Sequence, residues 1–167
     1  AWIRPELHAL CAPMVVGSVA VLQRALDAVP ADRRPRLRPI ATPEEADPSP
    51  SLIPCLEPAV AVDVAQVPPG VVDARAGRAA YDYLGHAIDL ALVERIDAVT
   101  TLPLNKEALH LGGVSHPGHT EILAERCGTP DHAMMLYLPA ERASDGPDAA
   151  AGLGVVHVTL HMALRDV

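Results

Sequence analysis

The 167-residue chain is half apolar and sets 13 Lys and Arg against 21 Asp and Glu, for a formal net charge of −8. That apolar share can fill a sizeable core, while the acidic balance repels a phosphate backbone and excludes nucleic acid as the expected partner. No apolar run reaches the roughly 18 residues a membrane helix requires, and no basic leader precedes a cleavage site, so neither membrane nor secretion is expected.

In chain order, MVVG at 14–17 reads as a short buried strand, followed by a helix over residues 19–28 with apolar positions at helical spacing. Pro30 and Asp32-Arg33-Arg34 end it. From Thr42 to Pro69 the chain is rich in proline and acid, which favours extended loops and edge strands, with LIPCLEPAVAV at 52–62 able to supply a strand. Ala76, Ala79, Ala80, Leu84, Ile88, Ala91 and Leu92 keep one apolar face and predict a long helix within residues 73–95. A strand is expected over residues 97–101, then a loop to His119 and a helix to Arg126. AMMLYL at 133–138 and GVVHVTL at 154–160 read as two further strands, joined through a turn at Asp145-Gly146-Pro147-Asp148. The chain has no internal repeats.

The most informative stretch is VTTLPLNKEALHLGGVSHPGHTEILAER, residues 99–126, which sets Lys106, His110, His116, His119, Thr120 and Glu121 among glycines and prolines. Gly118 lets backbone approach a ligand, and His119, Thr120 and Glu121 fall where a helix begins and its free N–H groups favour an anion, a phosphate or carboxylate. In open α/β sheets, ligands gather at the C-terminal ends of strands, where this loop is expected to hang. A local explanation stands beside this one: Thr120 caps the helix and Glu121 compensates its dipole. Capping does not account for Lys106 with three histidines inside residues 106–119, and histidine is the commonest metal ligand and proton carrier near neutral pH.

His161 directly follows the last expected strand and could be a hydrogen-bonded strand-end histidine. His86, His132 and His157 carry no assigned role. Cys11, Cys55 and Cys127 form no CxxC pair, and their odd count argues against a disulfide framework and for a reducing, cytoplasmic setting. Cys127 is expected to be a buried structural thiol rather than a nucleophile. Neither a GxGxxG nor a GxxxxGK[ST] phosphate loop occurs.

TLPLNKEAL at 101–109, PGHTEILAERCGT at 117–129 and VVHVTLHMALRDV at 155–167 together resemble the 4-hydroxythreonine-4-phosphate dehydrogenase family, with its three motifs in order. PMVVGSVAVLQRALDAV at 13–29 and GRAAYDYLGHAIDLAL at 77–92 extend the resemblance upstream. It implies a three-layer α/β/α fold of the isocitrate/isopropylmalate dehydrogenase kind, of which this chain is expected to cover about the first half. Residues 1–100 would then be part of a first α/β domain and 101–167 the start of a second. The chain is expected to begin inside the family's first helix and to stop within its metal motif.

Carried over by motif position, His119 and Thr120 bind substrate, Lys106 stands beside it as the catalytic candidate, and His161 is the first of three histidines on a divalent metal. The resemblance implies an NAD(P)-dependent, metal-dependent (zinc, magnesium or cobalt) oxidation with decarboxylation of a phosphorylated four-carbon hydroxy acid. The partner is that small substrate, in a homodimer whose subunits share the active site. Asn105 stands where some members have histidine, and Met162-Ala163 replace a Leu-Pro pair, which brings the chain nearer to relatives acting on phosphorylated threonate or erythronate. Two rivals are a non-catalytic, phosphorylated-acid-binding or dimerising half-enzyme and a phosphate acyltransferase of related architecture.

Overall fold

The computed structural model describes residues 2–129, 131–139, 152–158 and 165. They fall into two compact units, Ala1–Cys127 and Gly128–Val167. The first unit runs α1 (Pro5–Leu10), β1 (Val15–Val16), α2 (Val19–Asp27), β2 (Arg36–Ile40), β3 (Leu52–Leu56), α3 (Ala74–Leu92), α4 (Lys106–Leu111) and α5 (His119–Arg126).

Its sheet is parallel, in the order β1-β3-β2, with Val15 opposite Cys55 and Arg36 through Ile40 opposite Leu52 through Leu56. β3 lies in the middle, and its Ile53, Pro54, Cys55 and Leu56 are all buried, as a strand covered on both faces requires. Burial pushes the Cys55 thiol up to about 11, so it stays protonated at neutral pH. β2 was not expected, because RLRPI combines two arginines with a proline. At the edge of the sheet Pro39 needs no outer partner, Arg36 is exposed, and the half-buried Arg38 donates from Nη2 to the Glu45 carbonyl at 2.7 Å.

α2 starts where Ser18 caps it by accepting from the Val21 N–H, and α3 starts on Asp73, which accepts from the Arg75 N–H. α3 organises the unit through two apolar patches. Leu90 joins Ile40 and Leu56 over the sheet, while Leu84 and Ile88 join Leu109, Val114 and Ile122 beneath α4 and α5. Burying Leu109 and Ile122 fully contributes on the order of 2 kcal/mol each, which anchors α4 and α5 to α3. This packing keeps residues 101–127 in one compact unit with the sheet.

Three sequence expectations are corrected here. Residues 97–101 form no strand, because a strand needs a ladder partner and none of the described residues pairs with them; only Val99 is tucked, against the α3–α5 cluster. The chain does not open inside a helix: Pro5 takes the first-turn position of α1, and Trp2 lies outside it, its indole N–H donating to the Ser49 and Leu52 carbonyls at 2.9 and 3.2 Å. Cys127 is exposed rather than buried, since it caps the end of α5 at the rim of the unit.

α3 ends in a left-handed residue, Glu94 at φ 57°, with the Arg95 N–H donating to the Leu90 carbonyl. A non-glycine residue in that region costs about 1 kcal/mol. Glu94→Gly is therefore expected to raise stability by about 0.5 kcal/mol after the added chain entropy is counted, read as a small rise in melting temperature. A fall would show that Glu94 holds contacts worth more than the strain.

In the second unit β4 (Met135–Leu138) pairs antiparallel with β5 (Leu153–Val156), Met135 opposite Val156. β4 falls within its expected segment, and β5 overlaps the start of its own, beginning one residue earlier at Leu153. Every residue of the ribbon is exposed, on both faces. His161 and the Asp145–Asp148 turn lie outside the described residues.

Candidate functional site

The site is set by two short helices that start close together. α4 begins because Asn105 accepts from the Ala108 N–H at 2.8 Å, and it stops at Gly112 and the left-handed Gly113. The stretch read as a loop thus contains a helix, and Lys106 occupies its first position. Asn105 followed after six residues by Gly-Gly was the available signal.

α5 begins differently. Its N-cap is Gly118, in an extended conformation with no side chain to close the helix end. Thr120 is two positions inside and does not cap, which removes the local explanation for that residue. The N–H groups of His119, Thr120 and Glu121 find no acceptor among the described residues, leaving a positive helix end open.

Lys106 lies at this opening. A Cβ built on Gly118 would stand 3.7 Å from Lys106 Cε and 3.7 Å from Glu121 Oε2. Gly118, with its free backbone donors, therefore lies beside the side chain of the exposed Lys106 and the carboxylate of the half-buried Glu121. His119 is half-buried, and burial holds its imidazole below the ordinary 6.5, so it is neutral at pH 7 and able to accept as well as donate. A cation beside unpaired N–H groups is an arrangement that can receive an oxyanion such as phosphate.

The other histidines separate from this place. His110 sits exposed in the last turn of α4. His116 contacts the Glu125 carboxylate through Nε2 and stacks on Tyr81 at 6.1 Å, fastening the loop before α5 to α3. Arg126 adds a second tie by donating from Nη2 to both Asp89 oxygens at 2.6 and 2.7 Å. These contacts hold the open end of α5 in place.

A cavity of about 490 Å³ lies elsewhere in the same unit, between residues 58–61 and α3. Its two guanidinium groups are already committed, Arg78 to Asp82 and Arg126 to Asp89. Among the described residues no group of three or more His, Cys, Asp or Glu side chains is placed to hold a metal ion, and no helix is long and apolar enough to cross a membrane.

The profile of the family described as pyridoxal phosphate biosynthetic protein PdxA matches residues 9–167. The chain is 41% identical over 165 residues to a D-threonate 4-phosphate dehydrogenase of Cupriavidus necator, covering 96% of this chain and 44% of that protein. It is 34% identical to a 4-hydroxythreonine-4-phosphate dehydrogenase of Trichlorobacter lovleyi, covering 98% of this chain and 44% of that one. A crystal structure of a 4-hydroxythreonine-4-phosphate dehydrogenase from Burkholderia phymatum superposes with a TM-score of 0.80 at 36% identity, over 99% of this chain and 45% of the other. The chain thus spans less than half the length of these relatives, and its α/β fold is theirs. By profile, sequence identity and backbone alike, the chain belongs to the PdxA family.

Proposed function

We propose that this chain supplies the phosphate-binding part of a dehydrogenase active site that oxidises a CH–OH group of a phosphorylated four-carbon hydroxy acid, D-threonate 4-phosphate before 4-hydroxythreonine 4-phosphate. The observation that carries the reading is Lys106 meeting the uncapped N-terminus of α5 across Gly118. Its support is the identity of 41% with a D-threonate 4-phosphate dehydrogenase.

Lys106 and the first-turn N–H groups of α5 neutralise the phosphate. Thr120 offers a hydroxyl that can donate to it, free of any capping duty. His119, neutral at working pH, orients the carbon chain by a hydrogen bond rather than by charge. The family resemblance adds NAD or NADP as hydride acceptor and a divalent metal (zinc, magnesium or cobalt) that acidifies the substrate hydroxyl, with His161 as one ligand. Decarboxylation of the β-keto product, a cytoplasmic setting and a homodimer with a shared active site complete the proposal.

The test is steady-state NAD reduction by the full-length protein with D-threonate 4-phosphate. Thr120→Ala is expected to lower kcat/KM at least tenfold, about 1.4 kcal/mol, with an unchanged melting temperature because Thr120 caps nothing. His119→Asn is expected to raise KM with metal content unchanged, and His161→Ala to abolish metal-dependent turnover. Wild-type kinetics at both 119 and 120 would remove the substrate site from this loop.

A further inference from the structure

We propose that Glu121 is a specificity-determining residue of this site: it accepts a hydrogen bond from a hydroxyl of the substrate carbon chain. The inference rests on the phosphate-site reading above.

A glutamate three residues into a helix ordinarily folds back to accept the N-cap N–H and stabilise the helix start. Glu121 does not do this. Its carboxylate accepts no hydrogen bond and makes no ion pair among the described residues, although it is half-buried and Oε2 comes within 3.7 Å of where a Gly118 Cβ would be. Lys106, whose Cε is at the same distance from that point, makes no ion pair with Glu121 or with any other described residue. Both side chains thus lie beside Gly118 without forming an ion pair with each other.

A lone phosphate would satisfy Lys106 and the α5 N–H groups and would be repelled by Glu121. A ligand carrying both a phosphate and a hydroxyl on its carbon chain satisfies both, because a carboxylate can only accept and a hydroxyl can donate. Glu121 thus raises the cost of binding phosphate alone and recovers it only for a phosphorylated polyol acid, a selection by an unpaired polar group against the analogue that lacks the donor.

The experiment compares three probes on the full-length protein by calorimetry: inorganic phosphate, D-threonate 4-phosphate and 4-phosphooxybutanoate, which has the phosphoester without the hydroxyls. The wild type is expected to prefer the hydroxy acid over the butanoate by about tenfold or more, the scale of a hydrogen bond to a charged group. Glu121→Ala is expected to abolish that preference while inorganic phosphate binds as well or more tightly, and Glu121→Gln, which keeps a neutral acceptor oxygen and the side-chain volume, to retain part of it. If phosphate binds but the preference survives in both variants, Glu121 is not the acceptor and the inference fails alone. If phosphate does not bind the wild type, the site itself fails and takes the inference with it.

Discussion

Gly77→Ala is expected to lower stability by about 3 kcal/mol, a fall in melting temperature of roughly 6–12 °C for a chain of this size. Gly77 lies in the second turn of α3, where alanine would ordinarily gain about 1 kcal/mol of helix propensity over glycine. Here a Cβ would meet the Ala108 carbonyl oxygen at 1.8 Å and its carbon at 2.1 Å. Those atoms belong to the α4 backbone and cannot rotate aside as a side chain can. Gly112 repeats the device from the other helix, since a Cβ there would come within 2.7 Å of the Arg78 nitrogen and 2.8 Å of the Ala74 carbonyl. Overlap therefore outweighs propensity, and α4 must move off α3, carrying Lys106 with it. Gly17→Ala is the control, because its Cβ would meet only a Val15 methyl at 3.9 Å. A higher melting temperature for Gly77→Ala would show that the α3–α4 contact is looser than this geometry.

Lys106→Met is expected to weaken binding of D-threonate 4-phosphate by about tenfold, the lower range for a charge-assisted hydrogen bond, because the ammonium is exposed and partly screened. Stability is expected to hold, since a cation in the first turn of α4 opposes the helix dipole and its loss costs the fold nothing there. The affinity of the wild type should fall as salt is raised and that of the variant should fall less, because one screened attraction is gone. Equal affinity and equal salt dependence would place the phosphate away from Lys106.

Local patterns foretold the elements whose causes are local. The apolar face within residues 73–95 became α3, MVVG became β1, and the helix running to Arg126 begins at His119. β4 lies within the apolar run AMMLYL, and β5 overlaps the start of GVVHVTL. α4 was missed although its cap is local, whereas the strand expectations that failed depended on neighbours distant in sequence. Residues 97–101 have strand composition but no ladder partner among the described residues, whereas RLRPI lacks strand composition and is a strand because β3 lies beside it. Pairing energy, rather than propensity, decided both.

The same division holds for the site. The sequence by itself determined the family, the residue types of an anion site, and a glycine ahead of a helix. Only the tertiary structure decided that Thr120 caps nothing, that His116 serves the fold, and that Lys106 and Glu121 flank Gly118 without pairing. Residues 106 and 118 are brought together by Leu109 and Ile122 packing on α3 and by two glycines that let α4 approach it, and contacts between separate helices leave no period in the chain to read.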